Sequence, residues 1–220
     1  MKLNNRIIFI LILLVSCIFR FYNFSEIPIT HDEFSALFRT EYSSFGDLIN
    51  LGVYPDGHPA GVQVFLYYWV KLVGMTEWLI KLPFTLAGVA AIFFIFKISK
   101  VWYNETVGLV SAAFMGSMQI MVMYSQIARP YISGLLFVLS MVYFWSLLIR
   151  KPNNNFTRNS ILYILSAILC SYNHHFSLLF VAILGVVGLF YIKREVVGYY
   201  ITFGIVIFIC YLPHLPILLA

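Results

Sequence analysis

The chain has 220 residues, of which 61% are hydrophobic and 10% are charged, whereas soluble domains carry about 25% charged residues. This composition excludes an ordinary soluble domain and predicts an all-α protein that crosses a membrane several times. The net charge of +5 does not indicate a nucleic-acid partner, because most Lys and Arg residues stand in small clusters between apolar segments and form no single basic face.

The first apolar segment follows Lys2 and Arg6 and has features of both a signal peptide and a membrane span. A signal peptide would continue into small residues at a cleavage site, but the residues after Cys17 are IFRFYNFSEIP. We therefore predict that residues 7–22 are retained as the first spanning helix.

Eight apolar segments are candidate spans: residues 7–22, 60–74, 82–99, 107–125, 131–149, 160–172, 176–192 and 196–212. Residues 60–74 are the exception among them, because they fall short of the about 20 residues that a spanning helix needs and contain Gln63 and Lys71. If this segment does not cross and the N-terminus is cytoplasmic, the basic clusters all fall on the cytoplasmic side, as the positive-inside rule requires. These clusters are Lys2 and Arg6, Lys97 and Lys100, Arg150, Lys151 and Arg158, and Lys193 and Arg194. We therefore predict about seven transmembrane helices, with residues 60–74 lying in the outer interface or dipping partway into the membrane.

The same topology places most of the remaining polar groups on or near the extracytoplasmic side. They are His31, Asp32, Glu33, Asp56, His58, Gln126, Arg129, Asn173, His174, His175 and His214. Charged groups next to hydrocarbon are costly unless they are paired or hydrated, and they often line a cavity. Their clustering therefore predicts an outward-facing functional site.

Residues 23–81 form the predicted first outer loop. Apolar residues between positions 31 and 50 recur at helical spacing, which predicts one or two amphipathic helices lying on the membrane. These residues are Phe34, Leu37, Phe38, Phe45, Leu48 and Ile49.

Within this loop, Thr30-His31-Asp32-Glu33 fits a capping box, in which Thr30 is the N-cap of a helix and Glu33 reaches back to the N-cap N–H. Acidic residues are also favoured in a first helical turn by the helix dipole, so the stretch has a purely structural explanation. The capping box explains Glu33 better than Asp32, because its two hydrogen bonds join Thr30 and Glu33 and do not involve the side chain of Asp32. Asp32 is therefore free to contact a ligand, and an ionised carboxylate is suited to general-base catalysis.

The stretch YSQIARPYISG, residues 124–134, lies at the outer junction of two predicted spans and offers Gln126, Arg129 and Tyr131 as ligand-binding groups. Arg129 is the main cation expected on the outer face. It either snorkels to the interface or binds a phosphate, for which a guanidinium is well suited. Lys81 is a candidate to assist it.

Five histidines belong to the predicted outer side. His58, in PDGHP, either belongs to a loop that ends in a helix start or lines a binding site. His31 adjoins Asp32 and is a candidate substrate-binding residue. His174 and His175 are adjacent, and adjacent residues of a helix point about 100° apart, so we expect interfacial hydrogen bonding and not joint metal ligation. His214, in LPHLP, is predicted to lie in a loop.

Four stretches occur in a characteristic order: HDE after the first span, GHPAGVQVFLYYWVKLVG, KLPFTLAGVAAIFFIFKISK and YSQIARPY. Together they resemble the N-terminal module of the membrane glycosyltransferases of the GT-C fold, in particular the bacterial protein-mannosyltransferase-like and aminoarabinose-transferase-like proteins. The resemblance covers about residues 5–150.

This resemblance implies transfer of a sugar from a polyprenyl-phosphate donor to a lipid, glycan or protein acceptor, on the extracytoplasmic side of the bacterial inner membrane. It also implies an acidic residue of the first outer loop at the reaction centre, which corresponds to Asp32 with Glu33 as its neighbour. The family's arginine near the lipid phosphate corresponds to Arg129, and its His-Pro stretch corresponds to His58 and Pro59.

The sequence departs from the family pattern in two places. Relatives usually have His-Pro-Pro where this chain has His58-Pro59-Ala60, and many carry an aspartate soon after the arginine, where this chain has Tyr131-Ile132-Ser133. A second catalytic carboxylate or metal ligand is therefore not expected there. Because such enzymes normally continue with further spans or an outer domain, we expect the single transmembrane domain of residues 1–220 to belong to a longer protein.

Two other functions remain open. The outer charges would suit the vestibule of a lipid-sugar transporter or flippase, although transporters more often carry ionisable residues near mid-membrane, and these spans are nearly free of charge. The chain would also suit a non-catalytic subunit that presents a lipid to a partner. A divalent cation held by Asp32, Glu33 and His58 is a further alternative, but ligands scattered over loops are a weak signal.

Overall fold

The computed structural model describes residues 4–152 and 154–219, and every regular element in these ranges is a helix. The prediction of an all-α protein is therefore confirmed. Lys2, which the sequence assigns to the first cytoplasmic cluster, and both ends of the predicted 1–220 domain lie outside the described residues. The α-helices, in chain order, are α1 (Asn5–Phe21), α2 (His31–Phe38), α3 (Phe45–Asp47), α4 (Ala60–Val73), α5 (Glu77–Trp102), α6 (Glu105–Ser117), α7 (Gln119–Ser125), α8 (Pro130–Arg150), α9 (Phe156–Asn173), α10 (His175–Tyr191), α11 (Val197–Tyr211) and α12 (Leu215–Leu218).

Within the described residues, four helical segments are long and apolar enough to cross a membrane: Asn5–Glu26, Glu77–Trp102, Pro130–Arg150 and Arg194–Leu218. The bent pair α6 and α7 would make a fifth, and α4 and α10 are apolar but shorter. The chain is therefore a multi-pass membrane protein, whereas seven crossings stay a prediction. The 14 residues of α4 reach about 21 Å, short of the about 30 Å of hydrocarbon in a bilayer. The partial insertion predicted for residues 60–74 agrees with this length and stays a prediction.

The centre of the bundle is formed by α5, α8 and α9. Helix α8 packs against both α5 and α9, α1 and α6 pack against α5, and α10 and α11 pack against α9. Met141 and Trp145 of α8 are buried together with Tyr163 and Cys170 of α9 in one apolar cluster. Helix α4 also contacts α9, so α9 connects the outer loop to the C-terminal helices.

The segment predicted as one apolar helix over residues 107–125 is broken. Helices α6 and α7 meet at a bend of 64°, and the backbone of Met118 between them is extended. The carbonyl groups at the end of a helix lack partners in the next turn, and the buried guanidinium of Arg20 supplies them here. It donates to the carbonyl oxygens of Gly116 at 2.9 Å and Met115 at 3.4 Å, and to Ser125 Oγ at 3.1 Å. The bend therefore depends on a side chain from α1.

The predicted amphipathic region of the first outer loop is helical but divides its apolar residues between two faces. Leu37 and Leu48 are buried in the protein core, whereas Phe34, Phe38 and Phe45 are exposed. Instead of one or two regular helices, α2 leads into a short 3₁₀ turn, and α3 leads into a π-helical segment, Leu48–Val53. Part of the predicted membrane-facing surface therefore packs against the protein itself.

Candidate active site

The start of α2 has the predicted capping box. Thr30 Oγ1 accepts from the Glu33 N–H at 3.3 Å, and Glu33 Oε2 accepts from the Thr30 N–H at 2.8 Å. These two bonds close the first turn of α2 and thereby fix the direction in which the side chain of Asp32 points from the helix.

Asp32 contacts the segment that carries Arg129, although the two are far apart in the sequence. Its Oδ2 accepts from Arg129 Nε at 3.0 Å and from the Tyr131 hydroxyl at 2.9 Å. The Asp32 side chain is 46% exposed and that of Arg129 is 16% exposed. Among the described residues, this is the one side-chain hydrogen bond of Arg129, so the other guanidinium N–H groups remain available for a ligand.

Glu33, predicted beside Asp32 as a catalytic residue, lies in different surroundings. It is 1% exposed, and its Oε1 accepts from the Ala128 N–H at 2.7 Å. Lys81 Nζ is 3.7 Å from Glu33 Oε2 and donates to the carbonyl oxygens of Ile27 at 2.9 Å and Pro28 at 2.8 Å. Both buried charged groups are therefore engaged in holding the backbone on either side of the site.

The Arg129 segment is anchored from several helices. Gln126 Nε2 donates to the carbonyl oxygen of Arg20 at 2.9 Å, and Asn173 Nδ2 donates to that of Pro130 at 2.8 Å. Together with the bond from Ala128 to Glu33, these contacts fix the backbone before and after Arg129. The amide of Gln126, predicted to bind substrate, is used for this purpose.

A second ion pair lines a pocket together with Arg129. Arg39 donates to both carboxylate oxygens of Asp56 at 2.6 Å each, and His58 Nδ1 lies 3.1 Å from Asp56 Oδ2. Burial alone would raise the pKa of Asp56, but the hydrogen bonds and charge of Arg39, with His58 and Arg129 nearby, lower it below its ordinary value. Arg39 lines the same pocket as Arg129, so the prediction of Arg129 as the main cation on the outer face is incomplete.

This pocket is lined by Arg39, Val53, Asp56, His58, Pro59, Val62, Gln63, Arg129, Pro130, Asn173 and His174. Its interior of about 30 Å³ has room for a water molecule or two. His58 lines this pocket, whereas His31, which is exposed, and Asp32 do not.

The remaining histidines fasten the loop that carries His58. His175 Nε2 lies 2.8 Å from the Gly57 carbonyl oxygen, and His214 Nε2 accepts from the Ala60 N–H at 2.9 Å. His214 is 2% exposed and acts as a cap of α4, so its prediction as a simple loop residue is wrong. His174 lines the pocket, and burial, followed by the charges of neighbouring His175, His58 and Arg129, lowers its pKa.

An apolar cavity of about 300 Å³ lies next to this charged pocket, between α4, α5, α8 and α9. The two spaces share Val62 and Asn173 as lining residues. Phe65, Phe84 and Leu136 line the apolar part. A molecule with an anionic head and a hydrocarbon tail would match this change from charged to apolar surroundings.

No group of three metal-ligating His, Cys, Asp or Glu side chains occurs in residues 4–152 and 154–219. Asp32 and Glu33 point to different partners, and His58 pairs with Asp56. The structure therefore gives no support to a cation site made of Asp32, Glu33 and His58.

Two residues of this region were missed by the sequence analysis. Arg39 stands seven positions after Asp32, a spacing that returns to the same face after two helical turns, and this signal was available. Arg20 occupies the last turn of the first span, where an arginine is ordinarily taken as an interfacial anchor. Arg20 donates to carbonyl groups at the bend between α6 and α7. These contacts could not be inferred, because the sequence pattern did not indicate the bend.

Comparison with known proteins identifies the family of the chain. No curated protein and no solved structure matches the chain, but the family model described as dolichyl-phosphate-mannose-protein mannosyltransferase matches residues 57–217. The match includes His58, Lys81, Gln126, Arg129 and Tyr131, and extends beyond the resemblance that ended near residue 150. It begins after Asp32 and Glu33, whose place at the site rests on the contacts described above. The chain therefore belongs to the dolichyl-phosphate-mannose-protein mannosyltransferase family, a family of membrane glycosyltransferases.

Proposed function

We propose that the protein transfers a sugar, with inversion, from a polyprenyl-phosphate donor to an acceptor on the extracytoplasmic side of a bacterial inner membrane. Family membership supports a glycosyltransferase, and the contact between Asp32 and Arg129 is the observation that carries the assignment of the site. In this proposal the chain is one transmembrane domain of the GT-C type with seven crossings and a cytoplasmic N-terminus.

The donor is bound with its phosphate at Arg129 and its tail in the adjoining apolar cavity. The guanidinium presents N–H groups beyond the one bonded to Asp32, and a phosphate accepts such bonds in pairs. The shared lining by Val62 and Asn173 connects the phosphate position to the hydrocarbon position. Tyr131, which bonds to Asp32, and His58, which lines the pocket, are the further polar contacts in this proposal.

Binding requires the ion pair between Asp32 and Arg129 to separate, because a sugar ring does not fit between groups that are 3.0 Å apart. The donor phosphate then replaces Asp32 as the anion next to Arg129. The exchange leaves the carboxylate of Asp32 free and places the cation where negative charge develops on the leaving phosphate.

The chemical step is a single displacement at the anomeric carbon. The acceptor hydroxyl oxygen forms a bond to that carbon, and the bond from the carbon to the phosphate oxygen breaks. The hydroxyl proton passes to Asp32, and polyprenyl phosphate leaves with the bonding electrons. General-base assistance of this kind contributes about 10² to 10⁴ in rate.

Glu33, Lys81 and Gln126 act in this proposal as positioning residues and not as groups that touch the substrate. Glu33 and Lys81 bond to backbone groups of the segments that carry Arg129 and Asp32. Gln126 bonds to the carbonyl oxygen of Arg20 at the end of α1. This assignment replaces the catalytic role predicted for Glu33 and the binding roles predicted for the other two.

The test is glycosyl transfer from a labelled polyprenyl-phosphate sugar in nanodiscs. Asp32→Asn should lower turnover by about 10² to 10⁴ while donor binding is retained. Asp47→Asn is the matched control, because Asp47 lies in the same loop and bonds to Ser43 and Ser44 outside the pocket. Near-normal turnover by Asp32→Asn would remove Asp32 from the role of base. Donor binding without turnover by the unmodified protein would favour a flippase component or a lipid-presenting subunit.

A further inference from the structure

A second apolar groove lies between α9, α10 and α11, separate from the cavity next to the charged pocket. It has a volume of about 410 Å³, and apolar side chains such as Val181, Leu189 and Ile207 make up most of its lining. The proposed donor site and chemical step do not involve this groove.

The shape of this groove matches one hydrocarbon chain. Its lining along α11 runs from Tyr200 to Tyr211, about 16 Å at 1.5 Å per residue. A helix with its side chains is about 10–12 Å across, so a piece about 16 Å long would occupy about 1,300–1,800 Å³. That is more than the groove of about 410 Å³ holds.

Two glycines keep the groove open. Gly185 of α10 and Gly204 of α11 both line it, and a Cβ added at either position would meet no atom within 4 Å. A larger side chain at either position would extend into space that the fold leaves unfilled.

One polar group in the groove lacks a partner. Tyr211 is 5% exposed and lines the groove, and its hydroxyl makes no hydrogen bond within the described residues. A buried polar group without a partner is costly, by about 1–3 kcal/mol. An oxygen atom of a bound molecule would remove this cost, which points to a ligand that has both a hydrocarbon chain and a polar head.

Two contacts link the polar end of the groove to the charged pocket. The ring of Tyr211 stacks on His214, with ring centres 5.3 Å apart, and His214 caps Ala60 two residues after His58. Along α9, Tyr163 and Ser171 face this groove, whereas Leu169 and Tyr172 face the first cavity. At about 100° per residue these pairs are on roughly opposite sides of α9.

We propose that this groove holds the tail of a lipid acceptor, so that donor and acceptor tails lie on opposite sides of α9 and their heads meet at the charged pocket. This inference rests on the proposed function and specifies its acceptor class as a lipid with a hydroxyl in its head group. That hydroxyl oxygen forms the new bond to the anomeric carbon as the bond to the donor phosphate breaks, and its proton passes to Asp32.

Occupancy is tested without any turnover. The probe is a single-chain lysophosphatidylglycerol with a diazirine near the end of its acyl chain, incorporated into nanodiscs that contain the full chain, with labelled peptides identified by mass spectrometry after irradiation. We expect labelling of α10 and α11 at the groove. Gly204→Leu should reduce that labelling at least five-fold, whereas Gly198→Leu, on the same helix with open space at its Cβ but outside the groove, should leave it unchanged.

Two further variants guard against a folding defect. Gly185→Leu fills the groove from its opposite wall and should have the effect of Gly204→Leu, and Tyr211→Phe should weaken labelling while it preserves packing. Equal labelling in Gly204→Leu and Gly198→Leu would overturn the inference. Protection of the groove by a second protein chain, or competition by polyprenyl phosphate alone, would also overturn it.

A transfer assay separates this inference from the proposed function. With labelled donor, we expect product on lipid hydroxyls and not on a serine- and threonine-containing peptide, and a loss of lipid product in Gly204→Leu. Transfer to the peptide that depends on Asp32 but not on Gly204 would refute the lipid acceptor and leave the glycosyltransferase standing. Transfer to lipid that depends on Gly204 and persists in Asp32→Asn would refute the proposed mechanism and keep the groove.

Discussion

Substitution of Glu33 by glutamine is the sharpest test of how the two adjacent acidic residues divide their roles. Glu33→Gln keeps the size of the side chain but removes the charge that faces Lys81 at 3.7 Å. It also turns one of the two acceptor oxygens, which bond to Ala128 and Thr30, into a donor. Lys81 is 1% exposed and loses its carboxylate partner.

Removal of one member of a buried ion pair typically costs about 3–5 kcal/mol. For a chain of this length, about 1 kcal/mol corresponds to a shift of about 2–4 °C in Tm, so we expect a decrease of roughly 6–20 °C. Asp32→Asn should cost much less stability than Glu33→Gln, because the pair of Asp32 with Arg129 is partly exposed and such pairs contribute about 0–1 kcal/mol. It should lose turnover and keep its Tm.

Unfolding can be followed through the buried thiol of Cys170. In a background of Cys17→Ser and Cys210→Ser, a thiol-reactive dye reports the temperature at which Cys170, which is 0% exposed, becomes accessible. A double variant, Glu33→Gln with Lys81→Met, should recover part of the lost Tm because no buried charge is left alone. If Glu33→Gln kept the Tm of the parent and lost turnover as Asp32→Asn does, Glu33 would be a catalytic residue and the positioning role would be refuted.

Three further predictions concern the residues around this pair. Arg129→Lys keeps the charge but loses the planar fork, so donor affinity measured with labelled donor in nanodiscs should fall about ten-fold, and an unchanged Kd would exclude paired phosphate contacts. Arg20→Gln removes donors from the carbonyl groups at the bend between α6 and α7, and the cost of about 1–3 kcal/mol for a buried unpaired group should appear as a lower Tm in the thiol assay; an equal Tm would show that the bend does not need Arg20. The lowered pKa of His174 means that the free pocket favours the neutral ring, whereas a bound phosphate raises that pKa. Donor binding then takes up a proton, so affinity should strengthen as the pH falls from about 7 to about 5.5, and His174→Asn should flatten this dependence. A pH-independent Kd in the parent would contradict the placement of the phosphate near His174.

The overall class, one local motif and the family could be read from the sequence alone. Composition determined an all-α membrane protein, because so few charged residues cannot cover a soluble surface. The capping box at Thr30 and Glu33 followed from the spacing, because its bonds join residues only three apart. The order of motifs indicated the glycosyltransferase family, to which the match over residues 57–217 now assigns the chain.

The division of labour at the site was decided by tertiary structure. Asp32 and Glu33 are neighbours of the same charge, yet Asp32 pairs with Arg129 and Glu33 is buried against Ala128. The bend beside Gly116 depends on Arg20, and the cap of α4 depends on His214, partners that are separated by about a hundred residues or more. Such contacts depend on which helices pack together and at what angle, and the periodicity of a single segment carries no information about either.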